Sequence, residues 1–223
     1  MNYVVTGADD KFSSVIQFWS DLVTDCGLKP IVYDLGGLGF GKPVEQNLKF
    51  IKGFENFRKE GHYQLLANGT WKSRGVHKPH IVQMAFEELQ EPFLYLDADA
   101  FLRGIPTKME GDWDIAVTVR PPKERDVTRE EKRSFIGKIN AGVMWFNATG
   151  PARLFIQAWK QLSDEEKNDQ RALNLMLPNI EVGQVTEIEV RANPFAFGGE
   201  PEMIKVRVLG VPTTVYNNYY TTG

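Results

Sequence analysis

The chain has little of several things that mark out other protein classes. It holds one cysteine in 223 residues, Cys26, so no disulfide can form within it. That excludes a disulfide-framed secreted scaffold and suits a reducing compartment. No apolar run approaches the roughly 20 residues that span a bilayer. The opening "MNYVVTGADD" has no basic stretch and no long apolar segment, so no secretory signal is expected there and a cytoplasmic location is. Positive charge is not in excess: 26 basic residues face 29 acidic ones, for a net charge of -3. A basic footprint for duplex nucleic acid is therefore not expected. Only three histidines occur, His62, His77 and His80. No Pro/Gly/Ser linker and no internal repeat divides the chain, so one domain is expected over 1–223.

What is present suits a soluble α/β protein. Hydrophobic residues make up 42%, enough for one sizeable core. "YVVT" (3–6) reads as a short buried strand broken by "GADD". In "KFSSVIQFWSDLVTDCG", Phe12, Val15, Ile16, Trp19, Leu22 and Val23 repeat at helical spacing, and Gly27 is a natural stop. "PIVYD" (30–34) reads as a second strand. "PHIVQMAFEELQ" (79–90) reads as a helix with Pro79 near its start. Strands are expected at 92–97, 113–119 and 139–147, and helices at 151–162 and 168–177. The remainder alternates like strand and holds no long helix. Strands alternating with helices over the first half imply βαβ units and a mainly parallel sheet, followed by a mixed second half.

One glycine-rich loop invites a phosphate-binding reading. "GGLGFGK" (36–42) has the G-x-x-x-x-G-K spacing and follows a strand. The next residue should be Ser or Thr, but it is Pro43. Proline has neither the hydroxyl nor the backbone N–H that could serve phosphate and Mg²⁺. A turn is the better reading.

"FLYLDADAF" (93–101) is more informative. A buried apolar strand ends by presenting Asp97 and Asp99. Carboxylates are costly to bury unless paired or bound to metal. Residues i and i+2 of a strand share a face, so both could approach one cation. Ligands of parallel α/β sheets bind beyond the carboxyl ends of strands. Two carboxylates with phosphate oxygens would suit Mg²⁺ or Mn²⁺. Turn capping is the plain structural alternative. A haloacid-dehalogenase-like phosphatase would use the first Asp as nucleophile. Its pattern wants Thr or Val two residues after the second Asp, where this chain has Phe101.

Five stretches together resemble the glycogenin-like and related nucleotide-diphospho-sugar glycosyltransferases of GT-A fold. They are "YVVTGADDKF", "KPIVYDLGGLG", "KPHIVQMAFEELQEPFLYLDADAFL", "INAGVMWFNATGPARLFIQAW" and "NDQRALNLML", in the family's order. The resemblance implies a GT-A, Rossmann-like, mixed but mainly parallel sheet flanked by helices. Residues 1–100 would bind the nucleotide, and 101–223 the sugar and acceptor. It implies a metal-dependent transfer of a sugar from a nucleotide-diphosphate donor, UDP-sugar favoured, to an unknown acceptor hydroxyl.

By position, Thr6, Ala8 and Asp10 would meet the base and ribose, and Lys78 the phosphate or sugar. Asp97 would face both ribose and metal, and Asp99 would be the firmer metal ligand. Asn140, Ala141 and Gly142 would line the sugar pocket. Asp169 and Gln170 would stand at the reacting face as catalytic residues, with helix capping as their structural alternative. The family often adds a C-terminal His to the metal. All three histidines here precede Asp97, so Asn217 in "YNNYY" is the remaining candidate, and a poorer ligand. That departure leaves open a relative that binds donors without turning them over. The charged stretch 120–133 and the aromatic tail are expected to shape the acceptor site.

Overall fold

The computed structural model describes residues 1–9, 12–35, 41–43, 77–102, 104, 109, 111–121, 137–166, 168–192 and 202–212. Among these residues eight strands form one sheet. In chain order they are β1 (Tyr3–Ala8), β2 (Lys29–Asp34), β3 (Lys42–Pro43), β4 (Phe93–Leu96), β5 (Ile115–Val119), β6 (Ile139–Phe146), β7 (Val185–Ala192) and β8 (Glu202–Pro212). Among the described residues four helices accompany them: α1 (Ile16–Asp25), α2 (Lys78–Leu89), α3 (Gly150–Glu166) and α4 (Asp169–Met176).

The sheet order is β3-β2-β1-β4-β6-β5-β8-β7. The first four strands in that order are mutually parallel. β6 then enters antiparallel to both β4 and β5. β8 lies parallel to β5, and β7 closes the edge antiparallel to β8. This is the GT-A, Rossmann-like arrangement: a parallel half, a mixed half, and helices on both faces.

Strand alternation sorts the core into two layers. In β4, Phe93 and Tyr95 join the cluster holding Ile81 of α2, Phe155 and Trp159 of α3, and Leu173 of α4. Leu94 and Leu96 point the other way, into the cluster holding Ile16, Trp19 and Val23 of α1. β4 is buried on both faces, which is why it reads as an unbroken apolar run.

Helix ends follow local chemistry. At the end of α1, the Gly27 N–H donates to the Thr24 carbonyl at 2.8 Å and the Leu28 N–H to the Val23 carbonyl at 3.1 Å. Gly27 has φ +72°, so the helix stops in a glycine-dependent C-cap. Helix α2 opens with Pro79 in its first turn. Helix α4 is capped by Asn168, whose Oδ1 accepts from the Arg171 N–H at 2.8 Å. Asp169 is therefore not the cap. It is the first helical residue, and its carboxylate is left for another use.

Candidate functional site

A cleft of about 190 Å³ opens at the carboxyl ends of β1 and β4. Gly7, Ala8 and Asp9 form one wall, and Tyr95, Asp97 and Asp99 another. Phe12, Leu35 and the start of α2, His77, Lys78 and Ile81, complete it. Gly7 packs closely on α2: a Cβ there would displace the Ile81 δ-methyl.

Lys78 is the centre of charge. Its Nζ stands 2.9 Å from Asp97 Oδ1 and 3.1 Å from Asp97 Oδ2. The same Nζ is 3.4 Å from Asp169 Oδ2. One ammonium thus links the end of β4 to the start of α4. The three side chains are sheltered, at 13%, 28% and 5% exposure respectively. Burial opposes the charge on Lys78, but Asp97 and then Asp169 outweigh it, so its pKa lies above the ordinary lysine value. The Lys78 ammonium lies 5.6 Å from the Tyr95 ring centroid. Burial, then the Asp97 and Asp169 charges, hold the Tyr95 phenol well above its usual pKa. It stays neutral.

β6 supports this cluster through a bulge. Val117 of β5 pairs with Met144, but the next residue, Thr118, pairs with Asn140. Residues 141–143 therefore have no partner on β5. The Asn140 side chain accepts from the Gly142 N–H at 2.9 Å, and the buried Thr118 hydroxyl donates to the Asn140 carbonyl at 3.2 Å. The Asp97 N–H donates to the Gly142 carbonyl at 2.8 Å. A Cβ on Gly142 would sit 2.7 Å from Asp97 Oδ2, so glycine leaves the carboxylate its place.

Helix α4 clamps the start of β6. Gln170 accepts from the Ala141 N–H at 3.0 Å and donates through Nε2 to the Ile139 carbonyl. Asn174, one turn on, accepts from the Ile139 N–H at 2.8 Å and donates to the same carbonyl at 3.0 Å.

The expected residues divide accordingly. Ala8, Lys78, Asp97 and Asp99 line the cleft. Ala141 and Gly142 lie in the bulge beside Asp97 with Asn140 at its edge, and Asp169 reaches the cluster through Lys78. The Gln170 amide is engaged with backbone at both ends. Thr6 is fully buried, and its neighbours Gly7, Ala8 and Asp9 supply the cleft wall. Asp10 and Asn217 lie outside the described residues, as do most of 120–133 and the tail. Tyr95 and Asn174 went unread in the sequence, although each carries a signal. Tyr95 is two residues before Asp97 on a strand, and Asn174 is four after Gln170 on a helix. Thr118 gives no such signal.

Asp97 and Asp99 offer hard oxygen ligands on one wall of the cleft. That donor set suits Mg²⁺ or Mn²⁺ completed by phosphate oxygens and water. Among the described residues no group of three or more His, Cys, Asp or Glu gathers to cage an ion.

No protein-family model and no curated protein matches this chain. Solved structures resemble it weakly. The galactosyltransferase LgtC, in complex with donor and acceptor sugar analogues, is 16% identical with a TM-score of 0.42, over 77% of this chain and 69% of that one. A glycosyltransferase involved in glycosylation of the major capsid of PBCV-1 is 13% identical with a TM-score of 0.44, over 77% and 73%. The glycosyltransferase GlyE of Streptococcus pneumoniae TIGR4 is 18% identical with a TM-score of 0.45, over 80% of this chain but 44% of its own. Likenesses at this level carry no residue roles across.

Proposed function

We propose that the protein is a cytoplasmic glycosyltransferase that moves a sugar from a nucleotide-diphosphate donor, a UDP-sugar favoured, to an acceptor hydroxyl on a glycan, protein or small molecule. The reading rests on one meeting of groups: two carboxylates at a strand end and a sheltered ammonium around one cleft, with a third carboxylate, Asp169, ion-paired to that ammonium from behind. A diphosphate needs both cationic charge and hard-metal ligands, and this cleft holds both kinds of residue.

In this reading Gly7, Ala8 and Asp9, with Asp10, receive the base and ribose. Asp97 and Asp99 hold Mn²⁺ or Mg²⁺, with Asn217 as the candidate third ligand. When bound, the ion supplies Lewis acidity to the departing diphosphate. Lys78 adds positive charge where negative charge grows on the leaving oxygen. Asn140, Ala141 and Gly142 give the sugar a backbone-lined wall. Asp169 takes the acceptor proton if the anomeric configuration inverts, or steadies the positive charge at the anomeric carbon if it is retained. Gln170 holds the β6 wall in place. Among the described residues no helix is long and apolar enough to cross a membrane.

A thermal-shift panel of UDP-, GDP-, CMP- and dTDP-sugars, each with and without Mn²⁺, tests the reading. A ligand that binds only the folded state raises the melting temperature. One donor should shift it in a Mn²⁺-dependent way, and Asp99→Ala should abolish that shift and any turnover while leaving the fold intact. No shift with any donor would refute the reading. Turnover of an aryl phosphate through an aspartyl-phosphate at Asp97 would put the phosphatase in its place.

A further inference from the structure

Lys78 does more than lie near the carboxylates; it is ion-paired with two of them. Its ammonium hydrogen-bonds Asp97 Oδ2 and stands within ion-pair distance of Asp97 Oδ1 and Asp169 Oδ2. The carboxylate that should receive a divalent cation is therefore already neutralised, from inside the protein, by a sheltered cation. A second cation on Asp97 would stand close to a like charge with little water between them.

We infer that Lys78 is a tethered counter-ion that occupies Asp97 until a diphosphate draws it away, so that divalent-cation binding depends on the nucleotide. The inference rests on the donor site proposed above. A diphosphate changes the balance in two ways. It offers the ammonium new anionic oxygens, and it adds negative charge to a cleft about to receive an ion. Asp169 keeps its own link to the ammonium, so Lys78 can leave Asp97 without losing every partner. The metal and the diphosphate then enter together, and the protein without nucleotide resists loading with stray divalent ions.

Mn²⁺ binding, followed by the loss of the free-ion electron paramagnetic resonance signal, tests this without any turnover. Wild type, Lys78→Met and Lys78→Met/Asp99→Ala are titrated with Mn²⁺ alone, and wild type also with UDP or GDP present. A nucleotide-only control removes the nucleotide's own affinity for the ion. Lys78→Met should bind Mn²⁺ alone at least tenfold more tightly than wild type, and Asp99→Ala should remove the gain. Wild type should tighten at least tenfold with nucleotide. If Lys78→Met binds Mn²⁺ alone no more tightly than wild type, the inference is overturned. The donor site itself still stands in that case if nucleotide tightens Mn²⁺ on wild type. Wild type that binds no Mn²⁺ even with nucleotide overturns the metal reading as well. If Lys78→Met does not fold, Lys78→Met/Asp169→Asn removes one charge of each sign and gives the same comparison.

Discussion

Replacing Gln170 by Ala separates a structural amide from a chemical one. Gln170 makes two bonds to β6: it accepts from the Ala141 N–H and donates to the Ile139 carbonyl. The two losses are unequal. The Ile139 carbonyl keeps the Asn174 side-chain amide at 3.0 Å, so losing Gln170 costs it little. Ala141 is fully buried, and its N–H loses the Gln170 acceptor. An unsatisfied buried donor costs roughly 1–3 kcal/mol. The expected destabilisation is therefore about 2 kcal/mol, or a fall of about 4–8 °C in melting temperature for a chain of this size. Thermal and urea denaturation of Gln170→Ala measure it directly. Gln170→Glu keeps the acceptor toward Ala141 but sets a carboxylate oxygen against the Ile139 carbonyl, so it should not restore stability. Unchanged stability in both variants, together with lost donor turnover, would refute the clamp and return the amide to the reacting face.

Two further perturbations probe the same assembly. Gly142→Ala would put a Cβ 2.7 Å from Asp97 Oδ2 and 3.2 Å from Asn140 Oδ1. It should cost about 1–3 kcal/mol and remove the Mn²⁺-dependent thermal shift; wild-type values for both would contradict the steric argument. Away from the cleft, Glu88 accepts from Tyr33 and from Lys42, joining α2 to the β2–β3 edge. The Lys42 hydrogen bond chiefly holds the Glu88 carboxyl below its ordinary pKa. Its stabilisation is then present above the unfolded value of about 4.3 and lost as pH falls through the lower folded value. The melting-temperature gap between wild type and Glu88→Gln should accordingly shrink below pH 4, and a gap that stays constant from pH 7 to pH 3 would contradict it.

Much of the fold was legible because its signals are local. The apolar spacing around Trp19, the glycine after α1 and the proline opening α2 each act within a few residues, and the sequence shows them. β4 and β6 were legible as apolar runs because both are buried on two faces. The direction of β6 was not legible, because an apolar run has no arrow. The bulge at 141–143 depends on Thr118, and the Asp97–Gly142 contact on a pairing of distant strands; neither leaves a pattern in one segment. Asp169 shows the same limit. Asp is a favoured cap, and only the neighbouring Asn168 taking that place released Asp169 for Lys78. The carboxylates at 97 and 99 were legible because charge at the end of an apolar strand is costly wherever it occurs.

The antiparallel entry of β6 has a consequence for how the protein reaches its working state. The cleft is assembled from the ends of β1 and β4 and the first turn of α2, with β6 and the start of α4 supporting Asp97 and Lys78 from behind. Few of these are neighbours in sequence, and β1 must find β4 while β5 must find β8 across long stretches of chain. Closing such loops costs entropy before any contact repays it. Helices α1 and α3 form from local contacts and can lead. During refolding the helical signal should return early, and the joining of Asp97, Gly142, Lys78 and Asp169 should come last. The capacity to bind a donor is then a late and sensitive gauge of whether the whole sheet has closed in its correct order.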